Sequence, residues 1–319
     1  MSSSIKLSIC IATYNRAKFI GETLETIVHQ LNDCIEIVIV DGASTDNTSD
    51  ILKPYILLYK NIKYFKLDKK GGVDQDYDKA VSFATGRMCW LFTDDDLIID
   101  NAIELILTEI NKDVSLIIVN SSIKNYNFKK IITNKILPLN INLTIQANET
   151  NKLFELIVPY VSFIGCVIIE RKLWLERNKQ TYYGSEFVHV GVIFQKSLPG
   201  KTVILSEPLI TIRLGNEQWS SRSFEIWLFK WPVLLNSLEL INNQLKLPYS
   251  LNPSFRRLRN VVIQRSKGAY ELKDYYKWFN NSILPNSWKL LMLIISITPI
   301  LVCKLLISFY LFTKINKSV

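Results

Sequence analysis

Three adjacent carboxylates, Asp94-Asp95-Asp96, follow the apolar run of residues 88–92. Like charges at that spacing disfavour one another's ionised forms unless a cation neutralises them. A hard divalent ion with oxygen ligands, Mg²⁺ or Mn²⁺, suits such a cluster, and ions of this type commonly bridge protein carboxylates to substrate phosphates. Two more polar clusters follow apolar runs earlier in the chain: Thr13-Tyr14-Asn15-Arg16 and Asp41-Gly42-Ala43-Ser44-Thr45-Asp46. Each alone reads as a turn, because Asp, Asn, Gly and Ser favour turns. Three in succession, each behind a strand, read as one ligand-binding edge.

An open α/β sheet binds ligands beyond the carboxyl ends of its strands, so the elements must build that sheet. Apolar, β-branched runs predict strands over residues 5–12, 35–40, 62–67, 88–92 and 114–119. Helical spacing predicts helices over 17–31, from about 46 to 58, over 77–84 and over 102–110. The alternation predicts an α/β fold with an open, mostly parallel sheet flanked by helices. Beyond residue 120 the pattern loosens. A polar, Asn-rich stretch (121–148) precedes a strand over 161–169, a helix over 186–195, and a strand pair at 203–205 and 209–213. Helical periodicity then runs from about residue 224 to the end, giving expected divisions of 1–120, 121–222 and 223–319.

Composition removes several alternatives. With 319 residues, 48% hydrophobic and 21% charged, the chain is long and apolar enough to bury a core. Its five Cys lie far apart with no CxxC pair, which argues against a zinc cluster or disulfide framework and for a reducing compartment. The N-terminal MSSSIKLSICIATYN turns polar too soon for a signal peptide. A dinucleotide-dependent oxidoreductase needs a Gly-rich turn after the first strand, and here no glycine occurs before Gly21.

The segments LSICIATYNRAKFIGETLETI, IEIVIVDGASTDNTSDIL, GGVDQDYDKAVSFATG and WLFTDDDL together resemble family 2 glycosyltransferases with a GT-A fold. The resemblance implies a nucleotide-diphosphate-sugar donor across the sheet edge, a divalent metal at the acidic motif and inversion at the anomeric carbon. Residues 1–120 would be the nucleotide-sugar-binding half and 121–222 the acceptor-binding, catalytic half. Thr13, Tyr14 and Asp41 would contact the base, within donor-binding loops that include Asn15 and Arg16. Asp74 would lie near the nucleotide, Asp95 would serve the ribose, and Asp94 and Asp96 the metal and diphosphate. The family's motif begins with Asp where this chain has Thr93.

In the family an acidic residue after a glycine, at the start of a helix in the second half, deprotonates the acceptor hydroxyl. The stretch 183–190 matches, with Glu186 the first candidate base and His189 the second; a carboxylate or an imidazole suits that proton transfer. Arg213 could clamp a diphosphate, and Asn216, Gln218 and Trp219 in the following loop could hold the acceptor. Residues 89–96 and 187–190 are similar to abequosyltransferases of O-antigen synthesis, which use CDP-linked dideoxyhexoses. UDP- or dTDP-hexose transfer is the alternative within the family, and a non-catalytic nucleotide-sugar or glycan-binding module the alternative outside it. A lipid-linked saccharide is the expected acceptor, in bacterial surface polysaccharide assembly.

The net charge of +9 is confined to one end. Residues 1–252 carry 27 Lys/Arg and 27 Asp/Glu, whereas 253–319 carry 11 and 2. That stretch also contains the apolar run 290–312, interrupted by Pro299 and Lys304. Without a nucleic-acid recognition motif beside it, this charge predicts an anionic membrane surface as partner and no nucleic acid. The expected location is the cytoplasmic face of the inner membrane, with the C-terminal region peripheral or monotopic.

Overall fold

In a computed structural model, residues 4–110, 113–249, 255–282 and 284–315 are described. The β-branched runs form strands β1 (Leu7–Thr13), β2 (Ile35–Asp41), β3 (Ile62–Lys66), β4 (Met88–Phe92), β5 (Leu97–Ile98), β6 (Val114–Asn125), β7 (Ile131–Thr133), β8 (Leu143–Ile145), β9 (Val167–Glu170) and β10 (Lys201–Leu214). The interleaved helices are α1 (Ile20–Val28), α2 (Thr48–Leu58), α3 (Val73–Phe83), α4 (Ala102–Ile110), α5 (Thr150–Ile157), α6 (Arg171–Glu176) and α7 (Val188–Phe194). Toward the carboxyl end follow α8 (Ser223–Glu225), α9 (Trp231–Ser237), α10 (Asn243–Lys246), α11 (Phe255–Ser266), α12 (Leu272–Trp278), α13 (Asn286–Ile297) and α14 (Ile300–Ile315).

One sheet runs in the order β3-β2-β1-β4-β9-β6-β10-β5, with β7 paired to β6 and β8 to β10. β3, β2, β1 and β4 are mutually parallel. β9 sits antiparallel to both β4 and β6, and β10 is parallel to β6. Two antiparallel steps restore direction, so β1, β2, β4, β6 and β10 all point the same way. Their carboxyl ends therefore share one edge. The apolar strands are covered on both faces, with Ile9, Ile11, Ile37, Ile39, Trp90 and Phe92 inaccessible to solvent. The indole N–H of Trp90 is satisfied by the carbonyl of Gly165 at 2.8 Å.

Several elements depart from the sequence expectation for physical reasons. α1 starts at Ile20 rather than 17, because the amides of Arg16 and Ala17 are taken by Thr48 Oγ1 and Asp46 Oδ2. α3 starts four residues early at Val73, entered through Gly72 at φ +93°, a conformation that favours glycine. The strand expected over 161–169 is reduced to β9, because residues 164–166 form a 3₁₀ turn. The two short strands expected at 203–205 and 209–213 are one strand, β10, with irregular register between Ile204 and Ile210. Asn142 Oδ1 satisfies the amide of Ser206 there. Residue 120 falls inside β6, so the halves expected at 1–120 and 121–222 share a single sheet.

The chain forms two compact units, Met1–Asn216 with Leu238–Leu245, and Glu217–Ser237 with Lys246–Val319. The second has its own core, in which Phe224 stacks on Tyr270 and packs with Val261, Phe279, Met292 and Ile295. Its last helices, α13 and α14, meet at a bend of 110°.

Candidate active site

The shared strand edge collects the three polar clusters. Thr13 closes β1, and its carbonyl accepts the amide of Gly42 at 2.9 Å. Asn15, at φ +53°, ties the first loop to the second: its amide donates to Ser44 Oγ and its Oδ1 accepts from the amide of Thr45. Asp41 has no solvent exposure; its Oδ1 accepts the Ser44 amide at 2.7 Å and its Oδ2 the Tyr64 hydroxyl at 2.6 Å. In this structure Asn15 and Asp41 therefore build the loops. Tyr14 offers its ring to Lys70 Nζ, 3.6 Å from the centroid.

Arg16 meets the acidic motif. Its Nε lies 3.3 Å from Asp94 Oδ1 and its Nη2 3.0 Å from Asp95 Oδ2, while Nη1 donates to the carbonyl of Asn216. Asn216 closes the group by donating Nδ2 to Asp95 Oδ2 at 2.7 Å. Burial pushes Asp94 up to about 7, helped by the charge of Asp95 and opposed by the Arg16 guanidinium.

Asp96 and Arg213 do different work from that expected. Asp96 is 3% exposed, and its two oxygens accept the amide of Arg213 and the hydroxyl of Thr93. Burial holds its carboxyl well above the usual range. The Arg213 guanidinium is committed to the carbonyls of Asp95 and Tyr126 and to the Glu22 carboxylate, over the Phe128 ring. With Nε, Nη1 and Nη2 each bonded to protein, this fork braces the acidic loop. Arg16 is the guanidinium that reaches the acid pair.

Among the described residues, no three His, Cys, Asp or Glu side chains are arranged to hold a metal ion by themselves. The donor set nonetheless fits a divalent ion shared with a diphosphate. Asp94 and Asp95 converge on one cationic group, and the buried Asp94 still has a raised pKa with that group in place. An ion of the Mg²⁺ type takes one or two protein carboxylates and fills its remaining positions with phosphate and water. Asp94 and Asp95 would be those ligands here, rather than Asp94 and Asp96.

The candidate base lies on a loop held by α3. Asp74, in the first turn of α3, accepts the amide of Glu186 through Oδ2 and that of Val188 through Oδ1, both at 2.9 Å. Asp74 is therefore bound to the loop of the second candidate half. Glu186 has φ +73° and is partly exposed. His189 is fully buried, its Nε2 2.8 Å from the carbonyl of Val161, and burial lowers its pKa to about 4. A neutral ring without solvent access cannot take a proton from an acceptor, so His189 is a core residue and not a base. Gln218 and Trp219 belong to the second compact unit, where Trp219 packs edge-on against Trp227.

Sequence reasoning missed Asp76 and Asp78. Asp76 is 3% exposed, and a Cβ at Gly42 would stand 2.7 Å from its Oδ2. Asp78 accepts the Tyr183 hydroxyl and the Trp174 indole N–H. The available signal was Gly71-Gly72 followed by Asp at 74, 76 and 78, an acidic run at the start of a helix that already had an apolar face.

An open α/β sheet with an acid pair and an arginine beyond its strand ends is the arrangement of a GT-A fold. The chain belongs to glycosyl transferase family 2, whose family model matches residues 8–172. It is 26% identical to the abequosyltransferase RfbV of Salmonella typhimurium over 231 residues, 68% of this chain and 69% of that protein. It is 30% identical to the glycosyltransferase GlyG of Streptococcus pneumoniae over 115 residues, where the match spans only 38% of the relative. Among solved structures it is similar to S. aureus TarS in complex with UDP, with a TM-score of 0.58 over 85% of this chain and 83% of that one, at 16% identity.

Proposed function

We propose that the protein transfers a hexose-type sugar from a nucleotide-diphosphate donor to a saccharide acceptor in bacterial surface polysaccharide synthesis. The observation that carries this reading is the convergence of Asp94, Asp95 and Arg16 at the strand-end edge of a family 2 fold. The similarity to RfbV favours a CDP-linked dideoxyhexose as donor, and the UDP complex of TarS favours a UDP-sugar. A nucleotide panel decides between them.

In the proposed reaction the acceptor hydroxyl oxygen attacks the anomeric carbon as the bond from that carbon to the diphosphate oxygen breaks. The hydroxyl proton goes to the Glu186 carboxylate, and the nucleoside diphosphate leaves with the bonding electrons. Attack opposite the leaving group inverts the anomeric carbon. Arg16 faces Asp94 and Asp95 and holds positive charge where the leaving group gains negative charge. Asn216 fixes the orientation of Asp95. A bound Mg²⁺ or Mn²⁺ on Asp94 and Asp95 would supply further stabilisation of the leaving diphosphate.

The C-terminal unit supports a peripheral attachment to the inner face of the membrane, beside a lipid-linked acceptor. No single described helix is long and apolar enough to cross a membrane, but the bent pair α13–α14 exposes Leu301, Leu305 and Phe309 at 64–70%. Thermal-shift screening of CDP, UDP and dTDP with Mg²⁺ or Mn²⁺ tests the donor reading. A stabilisation by one nucleotide that requires the metal is expected, and no response to any of the three would refute it.

A further inference from the structure

Resting on the reading of Glu186 as the base, we propose that Asp74 is a positioning residue that acts through Glu186, and that α3 sets the base relative to the acidic motif. Four consecutive or near-consecutive residues of α3 reach three parts of the site. Asp74 holds the amides of Glu186 and Val188, and Asp78 holds the Tyr183 hydroxyl, so the loop bearing the base is fastened on both sides of Gly184-Ser185. Trp174 Nε1 donates to the same Asp78 at 2.8 Å and Lys179 Nζ lies 3.9 Å from it, which fixes the chain leading into that loop. Between them, Tyr77 donates its hydroxyl to the carbonyl of Phe92 at 2.9 Å, one residue before Thr93-Asp94-Asp95. Asp76 rests against Gly42 in the loop after β2.

The conformation of Glu186 explains why a tether is needed. A non-glycine residue at positive φ is strained and persists only where its surroundings over-determine it. Gly184, at φ +83°, supplies one free bend, and the two amide bonds to Asp74 supply the constraint on the other side. A general base must come within hydrogen-bond reach of its proton, and a misplacement of about 1 Å can cost about a hundredfold in rate. Asp74 is 4% exposed, and burial raises it to about 6 despite these bonds. A buried carboxylate kept at this cost and bonded to the base's own backbone is doing more than capping a seven-residue helix.

The test is a double-mutant cycle in the full chain. Activity is read as release of nucleoside diphosphate from CDP-, UDP- and dTDP-linked hexoses with Mn²⁺. Asp74→Asn keeps the shape but leaves one amide without an acceptor. We expect kcat to fall tenfold to about a hundredfold with donor KM within about threefold of wild type. In a Glu186→Gln background, Asp74→Asn should change kcat by less than about twofold, because the group it positions is gone. Tyr183→Phe, which deletes one hydroxyl, should repeat the pattern at smaller amplitude and covers the case of an unstable Asp74 variant. Full multiplication of the Asp74 and Glu186 effects, or a raised donor KM with unchanged kcat, would overturn the positioning role while leaving Glu186 as base. An undiminished kcat in Glu186→Gln alone would overturn the base assignment and the tether together.

Discussion

Nη2 of Arg16 lies 3.0 Å from Oδ2 of Asp95, joining the loop after β1 to the loop after β4. The contact is half of a fork, since Nε of the same guanidinium faces Asp94 at 3.3 Å. Both partners are mostly shielded, with side chains 12% and 14% exposed, so the pairing is screened less than a surface ion pair. Neighbouring strands β1 and β4 fix the spacing of their two loops, and the ion pair fixes the orientation of the charged groups within it. Asn216, at the end of β10, adds a third strand end to the arrangement.

This geometry predicts unequal effects within the acidic motif. Asp95→Asn should lower turnover by about 10²-fold or more, the scale seen when one preorganised electrostatic contact to a developing charge is lost. Arg16→Lys should also be severe, because an ammonium cannot span both carboxylates as the fork does. Asp96→Asn should act mainly on stability, since its oxygens are bound to Thr93 and the Arg213 amide. Nucleoside diphosphate release and urea midpoints measured on the same variants separate the two effects. Equal losses of turnover at Asp95 and Asp96, with stability unchanged, would contradict this division, and full activity in EDTA would remove the metal.

His189 predicts an acid-sensitive stability. Its folded pKa of about 4 lies below the ordinary 6.5 because burial disfavours the charged ring. Between those values the unfolded chain binds more protons, so stability falls as pH drops from 6.5 toward 4, and above 6.5 the contribution is flat. By pH 4 the loss from this ring is on the order of 3 kcal/mol. His189→Gln, which cannot titrate and can still donate to the Val161 carbonyl, should flatten that part of the profile. Urea midpoints at pH 4.5, 5.5 and 7 check it; an unchanged slope would mean the ring is not buried neutral.

Asp76 predicts the opposite sign. Burial raises its folded pKa to about 6, above the usual 3.8. The folded state then holds the extra proton between those values, so stability falls as pH rises from about 4 to 6 and stays lowered above. Asp76→Asn should therefore raise the melting temperature at pH 7.5 by a few degrees and have little effect at pH 4. A variant less stable than wild type at pH 7.5 would show that the charge is well compensated where it sits.

The parts of this fold legible in the sequence are those set by local periodicity. β4 and α4 have the boundaries that the pattern predicts, because each is a short run whose apolar spacing meets a sharp polar stop. In β10 the polar Ser206-Glu207-Pro208 interrupts the apolar pattern; only the register with β6 and the Asn142 side chain show that the strand continues through it. β6 likewise runs on past Val119, where its apolar run ends. Asn120 looks like a strand end until its amide is seen bonded to the carbonyls of Leu137 and Ser206. In the site, the acidic motif and Arg16 were legible as residue types, but not which carboxylates face the arginine. That choice depends on contacts of Arg16 with residues 78 and 79 positions away, and the bond between Asp74 and Glu186 spans 112, distances about which local pattern is silent.

The last prediction concerns the apolar bend of the C-terminal unit. α13 cannot simply be deleted to test it, because Met292 and Ile295 are part of that unit's core and the Met292 carbonyl accepts the Tyr270 hydroxyl. The bend itself is held from within, by Arg265 Nε donating to the carbonyl of Thr298 at 2.8 Å. The face to alter is the outer one, where Leu301, Leu305 and Phe309 recur at helical spacing and lie 69%, 64% and 70% exposed. Interfacial binding adds buried apolar area to roughly 1 kcal/mol for each basic residue near an anionic surface, and salt weakens only the second part. Leu301→Glu with Leu305→Glu removes apolar area and adds like charge to an anionic bilayer without touching the core. Flotation with vesicles containing phosphatidylglycerol should show wild-type protein bound at low salt and partly retained at high salt. The double variant should bind at least tenfold more weakly with its melting temperature unchanged. Equal flotation of the two proteins would mean that this face does not meet the membrane, and an unbound wild type would mean that the basic charge of residues 253–319 serves something else.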